Sequence, residues 1–145
     1  MTKILYSKPD QTLAIVSPAD GTVTQSFIDR RVPVGVSYSV VENSEIPTDL
    51  TYWKSWRLSN NTITYDMGVV KEIAVNNVKK TAVKALEEAN ECALLNEAST
   101  YSVANIQAAY ADVKTQIQGS SEIATITSLV NTFVSTYGGG DAWVS

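Results

Sequence analysis

The chain has 145 residues, 44% hydrophobic and 18% charged, a composition that excludes wholesale disorder and leaves room for one core-bearing domain or a small β domain followed by a helical one. Its formal net charge of −4 excludes the basic footprint of a nucleic-acid-binding protein. The acid is unevenly placed: residues 1–65 hold six Lys+Arg and six Asp+Glu, residues 66–145 five and nine, giving 0 and −4.

Lys3 to Ser7 and Thr12 to Ser17 are short β-branched apolar runs separated by Lys8-Pro9-Asp10-Gln11, where proline presets a turn, so they predict a β-hairpin. Pro18-Ala19-Asp20-Gly21 is a second turn, and Thr22 to Arg31 reads as a strand end or a short helix capped by Thr24 or Ser26, with the helix preferred. Val36 to Glu42 alternates, with Val36, Tyr38 and Val40 on one face, and predicts a third strand. Asn43 to Pro47 breaks it. Thr48 then caps a helix of one or two turns through Ser55, and Arg57 to Asp66 predicts a strand or hairpin arm turning at Asn60-Asn61, with Ile63 and Tyr65 alternating. These segments make a small antiparallel β domain of three or four strands and one short helix over residues 1–66.

Two of the three tryptophans, Trp53 and Trp56, fall with Tyr52 in this segment. The expectation is that Trp56 holds the sheet together and that Trp53 is exposed; Tyr52, Trp53 and Trp56 are candidate protein-binding residues.

At Asp66 the hydrophobic period changes from two to about three and a half. Val75, Val78, Ala82, Ala85, Ala89 and Cys92 predict a helix over Met67 to Leu95 whose small core residues require a close neighbour. Asn96 to Ser102 is polar, and Ser102 can cap a helix over Val103 to Gln118 carrying Val103, Ile106, Tyr110, Val113 and Ile117. Gly119-Ser120-Ser121 ends it and caps a third, with Ile123, Ile126, Val130, Phe133 and Tyr137 at the same spacing. Such short heptad runs predict a helical hairpin or three-helix module over residues 67–137, and an α+β protein overall. Residues 138–145 are a glycine-rich tail in which Trp143 is a fourth candidate protein-binding residue, because an aromatic anchor supplies much apolar contact for little entropy.

The chemistry for catalysis is sparse. With no histidine, the chain lacks the commonest general base, serine-histidine triads and histidine zinc sites, and one cysteine makes neither a disulfide nor a thiolate zinc site. Cys92 reads as a buried structural thiol. Gly138 to Gly140 follows the last helix rather than preceding one, so it is not a phosphate loop. The carboxylates Glu87, Glu88 and Glu91 follow Lys79, Lys80 and Lys84 as on a solvated helix face, and Asp10 and Asp20 lie in turns, so neither group reads as an acid-base pair. Arg30-Arg31 beside the aromatics adjoins Asp29 in a neutral region, which does not favour a stacking platform for nucleic acid. No enzyme, cofactor, metal or nucleic-acid partner is expected. The N-terminus lacks an apolar signal segment and no run approaches roughly 18 apolar residues, so the reading is a soluble protein made in the cytosol, with no membrane partner.

The hairpin from Ile4 to Pro18, the loop from Val32 to Asp49, the Tyr52-Trp53-Lys54-Ser55-Trp56 segment and the run from Ile63 into the helix at Ile73 together resemble small proteins encoded among the tail and tail-fibre genes of tailed bacteriophages. The resemblance covers residues 3–75, centred on Ile46, Pro47, Trp56 and Asp66, and does not extend into the later helices. It implies a non-enzymatic tail or tail-fibre-associated structural or assembly protein, in the host cytoplasm during assembly or in the virion tail, whose partners are other tail or fibre proteins and which can form a homo-oligomer. A phage-encoded inhibitor or regulator of a host protein is the alternative. The resemblance supplies no catalytic residues.

Overall fold

A computed structural model describes residues 1–138. The protein is α+β, with the order β1 (Thr2–Ser7), β2 (Leu13–Val16), α1 (Gln25–Arg31), β3 (Tyr38–Glu42), β4 (Trp56–Ser59), β5 (Thr62–Tyr65), α2 (Met67–Leu94), α3 (Val103–Gly119) and α4 (Ile123–Tyr137). It divides into two compact units, Met1–Val69 and Val70–Ser145. The expected boundary follows Asp66; α2 begins at Met67, and the division between the units falls after Val69, within its first turn.

In the first unit β1 is the centre of an antiparallel sheet of order β2-β1-β3, and β4-β5 form a separate two-stranded sheet. Register fixes which side chains share a face: Ile4 lies opposite Val16 and Val40, and Leu5 opposite Ile15 and Ser39. Because successive residues of β1 alternate, Ile4 and Leu5 enter different cores. Ile4 packs with Ile28 and Val32 at α1, joined by Tyr6, Val16, Val23, Phe27 and Val36. On the other face Leu5, Leu13 and Val41 meet Trp56, joined by Ile46, Leu58, Ile63 and Tyr65. The sheet is thus covered by a helix on one side and a hairpin on the other, which is why β1 is apolar at adjacent positions.

Thr24 caps α1, its side chain accepting from the Phe27 N–H. Asn60 and Asn61 adopt positive φ of 48° and 66°, the conformation that a tight turn matched to strand twist requires, and Trp56 pairs with Tyr65 and Leu58 with Ile63 across the hairpin.

Several details differ from the expected β domain. There are five strands in two sheets rather than one sheet of three or four, because β4 and β5 pair with each other and present Trp56, Leu58, Ile63 and Tyr65 face-on to the first sheet. The third strand begins at Tyr38 rather than Val36, since Val36 N–H turns back to the Pro33 carbonyl (3.2 Å) through Gly35 at φ 81°. Its most buried residues are Ser39 and Val41, on the face opposite Tyr38 and Val40, which are exposed. The helix expected from Thr48 to Ser55 is reduced to a 3₁₀ turn at Trp53–Ser55; a second 3₁₀ turn spans Asn43–Glu45.

The second unit is a three-helix module. Asp66 Oδ1 accepts from the Gly68 and Val69 N–H groups (3.0 and 3.4 Å), capping the start of α2. Lys71 Nζ donates to the Gln118 carbonyl at 2.8 Å, placing the beginning of α2 beside the end of α3. The expected stripes are buried within a single chain: Val78, Ala82, Ala85 and Ala89 on α2; Ile106, Val113 and Ile117 on α3; Ile126, Val130 and Phe133 on α4. Val75, Cys92, Val103, Tyr110, Ile123 and Tyr137 at their margins are half-buried. Ser102 caps α3, accepting from the Asn105 N–H at 3.1 Å. The cap of α4 is Glu122 and makes no side-chain cap bond, whereas Ser120 Oγ accepts from the Glu122 N–H, so the serines order the connection without capping the helix. Among the described residues, no helix is long and apolar enough to cross a membrane.

Candidate functional site

The segment from Asp49 to Trp56 links the two sheets of the first unit, and its geometry is set by short polar contacts. Asp49 Oδ1 accepts from the Thr51 N–H (3.0 Å) and hydroxyl (2.6 Å), an Asx turn that displaces the expected helix at Thr48. The Thr51 hydroxyl, and then its amide, stabilise the Asp49 carboxylate and hold its pKa below the ordinary aspartate value. Trp53 N–H then reaches the Leu50 carbonyl (3.2 Å), and Ser55 donates both its N–H (2.9 Å) and its hydroxyl (2.6 Å) to the Tyr52 carbonyl. Ser55 is fully buried, and its own carbonyl accepts from the Asp66 N–H at 2.7 Å. Arg57 Nη1 donates to the carbonyls of Lys54 (2.9 Å) and Trp56 (2.8 Å), and Arg57 forms an ion pair with Asp66 at 3.5 Å. The turn is therefore tied to the strands after it.

This framework sorts the aromatic residues. Tyr52 and Trp56 are buried, Trp56 against Leu5, Leu13 and Val41. Trp53 is 50% exposed, with Lys54 Nζ 5.8 Å from its ring centroid, and neighbouring Leu50 is 62% exposed. Of the candidates Tyr52, Trp53, Trp56 and Trp143, only Trp53 presents its ring to solvent among the described residues; Tyr52 and Trp56 position the turn from behind. Trp143 lies outside the described residues. The Trp56 Nε1–H is buried with no acceptor among the described residues, so its burial rests on the ring's apolar contacts.

The remaining polar candidates are used locally. Asp10 accepts from Thr12 and Asp20 from Thr22, each closing its own turn, and the Thr12 hydroxyl lowers the Asp10 pKa. Arg30 Nε donates to the Ser26 carbonyl and Arg31 lies over the Phe27 ring, so both basic side chains contact their own helix. Glu87, Glu88 and Glu91 are exposed. Cys92 is half-buried rather than buried, because it sits near the α2 terminus where the stripe leaves the core. Among the described residues, no group of three or more Cys, Asp or Glu side chains is arranged to hold a metal ion.

One concavity of the second unit was not legible in the sequence. Ala85 and Ala89 of α2, Tyr101, Ile106 of α3 and Tyr137 of α4 enclose a cleft of about 160 Å³, with the Tyr101 and Tyr137 rings 4.7 Å apart. Two small side chains facing two large ones leave the space; its only sequence signal is alanine in the α2 stripe opposite tyrosines that are far away in the chain.

Searches of protein families, curated proteins and solved structures give no significant match to this chain.

Proposed function

We propose that this is a non-enzymatic protein that works through protein-protein contacts, of the tail or tail-fibre-associated assembly type found in tailed bacteriophages. The observation that carries the contact reading is the half-exposed Trp53 ring, presented beside exposed Leu50 on a turn whose other aromatics are buried. An aromatic ring held on a pre-ordered turn loses little conformational entropy on binding, and tryptophan is the residue most enriched among energetically dominant interface positions. The phage assignment rests on the resemblance of residues 3–75, and the expected partners are other tail or fibre proteins.

Co-purification tests this reading. Expressed with the tail and fibre proteins of the same genome, the chain is expected to form a stable complex with one of them. Failure to bind any, together with capture of a host protein through the same Trp53 surface, would instead support a phage-encoded inhibitor or regulator.

A further inference from the structure

We propose that the chain forms a two-fold homodimer through the free edge of β3, with Tyr38 of one copy paired to Val40 of the other. The Asn43 N–H donates to the Met1 carbonyl at 2.9 Å, which makes Met1/Asn43, Lys3/Val41 and Leu5/Ser39 the hydrogen-bonded pairs of the β1-β3 ladder. The amides of Tyr38, Val40 and Glu42 consequently point away from β1, towards the edge. At one end of this row the Glu42 N–H is taken by Glu45 Oε2 at 2.7 Å; at the other, the Val36 N–H is taken by the Pro33 carbonyl. Between these stops the backbone N–H and C=O groups of Tyr38 and Val40 have no hydrogen-bond partner among the described residues.

These two donors and two acceptors are symmetric about Ser39. An antiparallel second copy, related by a two-fold axis through Ser39, sets Tyr38 opposite Val40 twice, makes four backbone bonds and leaves both stops intact. No slipped register uses all the open groups. The side chains agree with the backbone: Tyr38 and Val40 are 39% and 47% exposed, and an aromatic facing a β-branched residue is a favourable cross-strand pair. Natural edges are usually blunted by lysine, proline or a bulge, and Tyr38 to Val41 carries none of these. Charge does not oppose the pairing, since residues 1–69 hold six Lys+Arg and seven Asp+Glu, a net of −1. The dimer stands independently of the Trp53 reading, because no group it uses belongs to the Asp49 to Trp56 segment.

Sedimentation equilibrium of the full chain across the micromolar range is expected to show a monomer-dimer equilibrium, weakened at least about tenfold by Val40→Lys with an unchanged circular dichroism spectrum. In a Cys92→Ser background, a mixture of Tyr38→Cys and Val40→Cys chains is expected to give a mixed disulfide, because hydrogen-bonded antiparallel partners bring Cα atoms to about 5.5 Å. Neither variant alone should cross-link comparably. A wild-type chain that is monomeric throughout, a dimer indifferent to Val40→Lys, or self-cross-linking that matches the mixture would each overturn the proposal. The cross-linking pattern remains decisive if the lysine variant fails to fold.

Discussion

Trp53 and Trp56 lie three residues apart and occupy opposite environments: the Trp56 indole is 3% exposed in the core shared with Leu5, Leu13 and Val41, and the Trp53 indole is 50% exposed. A 3₁₀ turn between them, closed by the buried Ser55, produces the inversion.

Substitution should separate the two roles. Trp56→Ala removes a large ring from a core with little room to collapse and is expected to destabilise the first unit by about 3–5 kcal/mol. Trp53→Ala, at an exposed position, should change stability by no more than about 0.5 kcal/mol. Urea unfolding followed by far-ultraviolet circular dichroism distinguishes these outcomes; comparable losses in the two variants would contradict the assignment.

The junction at Asp66 carries a separate prediction. Asp66 caps α2 and pairs with Arg57, so Asp66→Ala should cost about 1 kcal/mol, most of it from the lost cap because the partly exposed ion pair contributes little. Arg57→Ala retains the cap. A double-mutant cycle with a coupling energy well above about 1 kcal/mol would contradict this division.

In the helical unit, Ala74 and Ala82 of α2 are buried and, unlike Ala85 and Ala89, do not line the Tyr101-Tyr137 cleft. Ala82→Leu is expected to destabilise by about 1–3 kcal/mol through overpacking. Val83, on the same helix but 42% exposed, should accept Leu with little effect in thermal unfolding.

The Asp49 turn has a defined pH response. Its carboxyl pKa is lowered in the folded chain by the Thr51 hydroxyl and amide, so the associated stabilisation is present above the ordinary value of 3.8 and is lost as pH falls through the lower folded value. Solvent screening keeps the effect on global stability small. A carbon-detected NMR titration of Asp49 should therefore give a pKa below 3.8, moving back towards it in Thr51→Ala; an unchanged value in that variant would refute the hydroxyl as the principal cause.

The helices were the most legible part of the chain because Ile106, Val113 and Ile117, or Ile126, Val130 and Phe133, repeat at a spacing that only a helix converts into one buried stripe. The β unit was less legible for reasons visible at single residues. Adjacent Ile4 and Leu5 are both buried because separate layers cover the two faces of β1, an arrangement that alternation within one strand does not reveal. At β3, apolar Tyr38 and Val40 mark the same face correctly, yet the more buried face carries Ser39, whose hydroxyl donates to Asn61 Oδ1 in the β4-β5 turn. Thr48 resembles a helix cap, but Asp49 captures the following Thr51 amide and closes a turn first. The contrast between Trp53 and Trp56 was legible from their placement between strands; the cleft between Tyr101 and Tyr137 depends on helix packing that no local pattern encodes.

The proposal that Trp53 is the contact residue is tested most directly by calorimetric titration of the wild-type chain and Trp53→Ala with any tail or fibre protein found to co-purify with it. Loss of a dominant interface aromatic should weaken binding by at least about 30-fold, equivalent to about 2 kcal/mol, with unfolding unchanged. Equal affinity of the two chains for that partner would contradict the assignment of Trp53 as the contact residue.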